Sequence, residues 1–332
     1  MQLTKLIMAG VAAVALTAGS GWAQDTLKLS SFLPASTVNN AKSVPAMVEK
    51  VGELSNGALK IEVYPGGSLV SGGEVQLKLV QDGAADIAEV PIPYTPGRIN
   101  GLDVFELPGL ATTNSDGSKM SLKLIQDGLI GGMDDLVTIG VLQSGPYFIH
   151  TKDKVETLAD LRGKKLRVSG QVQAQIVSAL GAVPVSNIPA TGLAENVSRG
   201  LIDGALVDTG NLYNFGVGDL LKYHVSNLPL GNFAVLWPMT KARHDGLSEP
   251  SKAAMDEVAG EWFTDVLSSN MDNQTAEVTE KLKAAGDHVF VELSAEDLAK
   301  AEEGMAKIRE QWAGRSAENA AVLAAVNAAR AE

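Results

Sequence analysis

Apolar and polar residues alternate from Thr26 to Phe32, and again, more cleanly, from Leu59 to Tyr64. A period of two predicts strands that turn one face to a core. After a loop over Leu33 to Asn40, Ala41 to Ser55 carries helical spacing and stops at Asn56-Gly57. Pro65-Gly66-Gly67 breaks the second strand, Glu74 to Gln81 reads as a short helix, and Asp86 to Val90 as a buried strand. Two strand–helix–strand units in succession predict a mostly parallel sheet with helices on its faces.

One device recurs. Val80-Gln81-Asp82-Gly83-Ala84-Ala85-Asp86 is similar to Val197-Ser198-Arg199-Gly200-Leu201-Ile202-Asp203. In both, a helix stops at a glycine suited to a left-handed cap and a strand follows. The two copies close units in different halves, which predicts two similar α/β lobes divided near Ser144. Further on, Ser248 and Pro250 signal a helix start and Gly286 a stop. About 36 residues at 1.5 Å each give ~54 Å, so this helix must span both lobes or kink between them. A final helix is predicted from Ser294 through Trp312, and the Ala-rich stretch from Ala317 to Glu332 reads as a frayed helix.

The first 23 residues stand outside this pattern. Lys5, the apolar run Leu6 to Leu16 and the small-residue site Gly21-Trp22-Ala23 read as a signal peptide cleaved before Gln24, which predicts a periplasmic protein. The chain has no cysteine, which removes thiolate catalysis and thiolate metal sites. A formal net charge of -12 disfavours nucleic acid and anionic membranes as partners. His150, His224, His244 and His288 are far apart in sequence and lack ligand spacing, so no metal is expected and each reads as surface or packing histidine. No nucleophile elbow, zinc-protease motif or P-loop is present, and neither a catalytic residue nor a cofactor is expected.

The chemistry concentrates near Arg167. It ends a short strand pattern and is followed by Ser169, Gly170 and a helix start. A strand end meeting a helix N-terminus suits an anion, and a guanidinium can grip a carboxylate by two hydrogen bonds.

Several ordered motifs resemble one family. Leu161-Arg162-Gly163-Lys164-Lys165-Leu166-Arg167-Val168, Leu180-Gly181-Ala182-Val183-Pro184-Val185 and Gly200-Leu201-Ile202-Asp203-Gly204 look like the DctP-type solute-binding proteins of TRAP (tripartite ATP-independent periplasmic) transporters. Ile61-Glu62-Val63-Tyr64-Pro65-Gly66-Gly67-Ser68-Leu69 and Asp82-Gly83-Ala84-Ala85-Asp86-Ile87 continue the match. The resemblance implies a two-lobed periplasmic binding protein fold, type II-like, with hinge strands and a long helix spanning both lobes. The expected limits are 24–144 plus about 232–272 for lobe I, and 145–231 plus about 273–332 for lobe II. It also implies a small organic acid in the interlobe cleft and delivery to an integral membrane permease. The family's carboxylate-gripping arginine falls on Arg167. Its frequent ligand-contacting asparagine is replaced by Val207, followed by Asp208 and, close by, Asn211; a second arginine of some members aligns with Tyr147, and a polar residue after the first strand with Phe32. Glu89, Tyr94 and Trp237 complete the candidate pocket, more aromatic than in acid-sugar and dicarboxylate binders. Three alternatives stand beside this reading. Aromatic rings with Asp208 or Glu89 could hold an amine or zwitterion; paired carboxylates could serve a periplasmic hydrolase or lyase; or the chain could serve an ATP-driven importer.

Overall fold

The computed structural model describes residues 24–331; the signal-peptide reading of 1–23 lies outside them. Three parallel strands form the first sheet, in the order β2 (Leu59–Tyr64), β1 (Asp25–Ser30), β3 (Ile87–Ala88). The helices α1 (Val44–Leu54), α2 (Gln76–Gln81) and α3 (Asn114–Gln126) belong to this lobe. A second sheet orders β4 (Val90–Pro91), β11 (Phe233–Thr240) and β5 (Leu136–Ser144), and here every pairing is antiparallel. The other lobe is built on six strands: β12 (Val289–Val291), β10 (Tyr223–Val225), β6 (Tyr147–Thr151), β9 (Gly204–Asp208), β7 (Lys165–Arg167) and β8 (Val183–Val185). It carries α4 (Gln171–Ala179) and α5 (Leu193–Ser198).

The expectation of mostly parallel sheet holds for the first sheet and fails in the middle of the molecule. The chain leaves the first lobe along β5, passes Gly145-Pro146 and enters the second along β6; it returns along β11. Outgoing and returning strands run in opposite directions, so β5 and β11 pair antiparallel, and β6 is antiparallel to both its neighbours.

The recurring device is present down to its hydrogen bonds. Gly83 and Gly200 have φ of 71° and 69°, the left-handed region that glycine enters without a Cβ clash. Asp86 Oδ2 accepts from the Lys28 backbone N–H at 2.7 Å, and Asp203 Oδ2 from that of Lys165 at 2.8 Å. Each aspartate thereby fastens the start of its strand to the neighbouring one.

The long helix is broken. After α6 (Lys241–Asp245), α7 (Glu249–Val258) stops, Gly260 turns the chain at φ 78°, and α8 runs Glu261–Ala285. Its 25 residues cover about 38 Å. Phe263 and Leu267 press against Gly140 of β5, while Gln274 donates to the Gly210 carbonyl of the second lobe at 3.0 Å. The tail differs from a frayed helix. After α9 (Ala295–Ala313), α10 (Ala317–Ala329) starts at a Ser316 cap and packs on α3, with Val322 and Val326 fully buried.

Three of the four histidines, distant in sequence, are brought together by strand pairing. His224 on β10 lies opposite His150 on β6, and His288 immediately precedes β12. The Val207 carbonyl can only accept, so His150 Nε2 is the protonated nitrogen in their 3.1 Å contact. It follows that His150 Nδ1 accepts from His224 Nδ1–H (2.7 Å), His224 Nε2 from His288 Nδ1–H (2.9 Å), and His288 Nε2 from Lys222 Nζ (3.1 Å). All three rings are neutral, and an added proton would set two donors face to face. Burial pushes His150 down to about 4, and His224 and His288 are also lowered, chiefly by desolvation. Their unfolded counterparts titrate near 6.5 and take up protons that the folded rings refuse, so the fold gains stability as pH rises to about 6.5 and loses it below. Urea unfolding should show a loss on the order of a few kcal/mol between pH 6.5 and 4; His150→Gln should flatten that slope, whatever its stability at pH 7.

Candidate ligand site

Arg167, the last residue of β7, is 1% exposed. Its Nε donates to the Ile188 carbonyl at 2.9 Å, one Nη to Ser169 Oγ at 2.5 Å, and the other to the Tyr94 hydroxyl at 2.9 Å. Tyr94 sits in the turn after β4, so this last bond joins the two lobes. A guanidinium has five N–H donors. Among the described residues, one on each terminal nitrogen has no hydrogen-bond partner, and no carboxylate lies within ion-pair distance of Arg167. A buried cation with a free fork is a receptor for a planar anion.

The helix that follows does not share this task. The backbone N–H of Ser169 goes to Gln173 Oε1 at 2.8 Å, and the Glu106 carboxyl from the other lobe reaches the start of α4 beside Gly170. Burial pushes Glu106 up to about 8, with the Asp103 charge adding to the shift; a hydrogen bond from the Gln173 backbone and the Arg315 charge oppose it. The expected anion crevice at a helix N-terminus is thus filled by the protein's own acid.

Around Arg167 a cavity runs between the lobes, walled by rings. Tyr147 and Phe233 stack with centroids 6.2 Å apart, Tyr94 meets Phe233 edge-on at 5.6 Å, and Phe32 tilts against Tyr94 at 6.1 Å. Phe215 and Met271 add apolar surface. Tyr147 is 4% exposed, and burial, reinforced by the Asp208 charge, holds its hydroxyl well above the ordinary tyrosine range.

Of the eight residues singled out in the sequence, Arg167, Tyr147, Asn211, Tyr94, Phe32 and Glu89 line this cavity. Asp208 stands behind the wall. Fully buried, it accepts from Ser144 Oγ (2.8 Å) and from Asn211 Nδ2 (2.9 Å) and N (3.0 Å), so it aims two residues that do line the cavity. Burial raises Asp208, and these hydrogen bonds oppose the rise. Trp237 lies outside the cavity. It is opposite Gly140 in the β11–β5 ladder and packs edge-on against Phe263 at 5.9 Å, a core position. Sequence reasoning missed Asn39, Ser144, Ser169, Phe215, Phe233 and Met271. Strand alternation could have found some of them: Phe233 and Val235 on β11, and Leu142 and Ser144 on β5, face the cavity two by two.

With that geometry in view, the comparisons are decisive. The family model of bacterial extracellular solute-binding proteins, family 7 (DctP), matches residues 29–315. This chain belongs to the DctP family. The C4-dicarboxylate-binding periplasmic protein DctP of Rhodobacter capsulatus is 26% identical over 314 residues, 91% of this chain and 90% of that one. Among solved structures, a marine metagenome TRAP solute-binding protein specific for aromatic acid ligands, in complex with metahydroxyphenylacetate, has 29% identity and a TM-score of 0.85, covering 91% of this chain and 97% of its own. A Rhodoferax ferrireducens TRAP solute-binding protein with copurified benzoate shares the fold at 24% identity, TM-score 0.85, covering 91% and 96%. DctP membership makes the protein a TRAP-type extracytoplasmic solute receptor with two α/β lobes.

Glu106 offers a test of the interlobe contact. Its folded value lies above the ordinary 4.5, so the stability it confers is full below about 4.5 and is lost as pH rises through 8. Glu106→Gln should remove that decline between pH 5 and 9 in thermal melts.

Proposed function

We propose that this receptor binds a small aromatic monocarboxylate, clamps it between the lobes and hands it to the membrane permease. One observation carries the reading: Arg167 is buried among rings with two N–H donors unspent and no anion of the protein beside it. A carboxylate completes the fork, and the rings bury a flat apolar body. Among the described residues, Arg167 is the one lysine or arginine lining the cavity, which favours one carboxylate over two. The marine relative specific for aromatic acids supports the same class.

An amine ligand fits less well. Glu89 and Asp208 are engaged by neutral hydrogen-bond donors, and burial raises both carboxyls toward their uncharged form. We read the protein as a receptor rather than a catalyst: Ser144 and Ser169 line the cavity, and among the described residues no histidine lines it to activate them. We further take residues 1–23 as an export signal and the periplasm as the working compartment. For the lobes we propose 24–144 plus about 232–272, and 145–231 plus about 273–332, with α10 of the second range reaching across to α3 of the first; the sheet memberships support the division at Ser144. Closure follows from the Arg167–Tyr94 bond, which each lobe half supplies, and exclusion of water strengthens the ionic contact.

Calorimetric titration with benzoate tests the reading. Arg167→Ala should weaken binding by about 2 kcal/mol or more, roughly 30-fold, because it strands a buried carboxylate. Arg167→Lys should also weaken it, since an ammonium cannot reproduce the fork. Affinity of Arg167→Ala within about threefold of wild type, in a protein with an unchanged circular dichroism spectrum, would reject the anchor.

A further inference from the structure

The first lobe contributes a polar corner to the same cavity. Asn39, 6% exposed, and Glu89, 1% exposed, both line it. Asn39 Nδ2 donates to Glu89 Oε1 at 2.9 Å, and the other carboxyl oxygen accepts from the Ser31 hydroxyl. Ser31 Oγ in turn accepts from Asn40 Nδ2 at 2.9 Å. In this setting the Asn39 amide nitrogen donates to the carboxyl and its oxygen is turned away from it. Its oxygen, Oδ1, is buried and has no hydrogen-bond partner among the described residues. A buried acceptor left unmet is unfavourable, and a ligand that meets it recovers that loss.

We infer that Asn39 is a specificity residue whose amide oxygen accepts a hydrogen bond from a hydroxyl group on the ligand, so that the receptor selects hydroxylated aromatic acids over unsubstituted ones. The inference rests on the carboxylate going to Arg167 on the opposite lobe. Arg167 and Asn39 then hold two polar groups of one molecule from two lobes, and the ligand itself ties them shut. Glu89 positions Asn39. Burial raises the Glu89 carboxyl above its ordinary value, with the Ser31 and Asn39 hydrogen bonds opposing; a corner with little charge suits a neutral hydroxyl better than an ammonium.

The test is a titration series on wild type with benzoate, 3-hydroxybenzoate, 4-hydroxybenzoate and 3-fluorobenzoate. At least one hydroxybenzoate should bind about tenfold or more tighter than benzoate and 3-fluorobenzoate, because a site built to meet a hydroxyl rejects the analogue lacking it. Asn39→Leu should bring that ratio within about threefold; Arg167→Ala should weaken all four acids alike. Equal wild-type affinity for the hydroxylated and fluorinated acids would overturn the inference and leave the carboxylate anchor standing, as would a ratio that survives in Asn39→Leu. Should Asn39→Leu fail to fold, the wild-type series decides alone. If none of the four acids binds, the aromatic-acid reading falls and this inference with it.

Discussion

A guanidinium removed from water without an anion beside it is held at a cost of several kcal/mol unless the protein surrounds it with acceptors. Arg167 is in that condition. The Ile188 carbonyl, the Ser169 hydroxyl and the Tyr94 hydroxyl meet three of its donors, and all three are neutral. They fix the plane of the fork without neutralising it. The rest of the site can be understood as protection of that unspent charge: rings exclude water, and a strand end rather than a loop sets the position.

The same economy governs the buried acids. Asp208 is held by Ser144 and Asn211, and Glu89 by Ser31 and Asn39, with no arginine or lysine engaged by either. Glu106 is turned toward the start of α4. Asp86, by contrast, pairs with Arg243 at 2.6 Å, at the far end of its strand region. Cation and carboxylates around the cavity are thus kept apart, each with neutral partners. An Arg167–Asp208 pair would have closed the site to any outside acid.

Much of this was legible from residue order. Gly83 and Gly200, Asp86 and Asp203, and the context of Arg167 are local features, and local features survive translation into structure. A kink was one of two expectations for the long helix, but its place at Gly260 was not legible, because apolar spacing continues through it and a single glycine does not by itself end a helix. Trp237 and Phe233 are four residues apart on one strand; choosing between them needs the register of β11 against β5, which includes a shift at Trp237/Pro238. The histidine chain needs the order of strands in a sheet, and spacing along the chain carries no trace of it. Asp208 was singled out by its place beside the family's asparagine position, and it stands one layer behind the cavity wall.

The C-terminal segment has a consequence for handling the protein. Trp312 donates from its indole to Asp103 at 2.9 Å, Arg309 to the Pro108 carbonyl at 3.2 Å, α9 rests on α4, and α10 covers α3. One stretch therefore buttons the outer helix of the arginine-bearing half to the opposite half. Trimming it as a dispensable tail would uncover Val322 and Val326 and release a clasp. An affinity tag or fluorophore joined after α10 would sit beside that clasp.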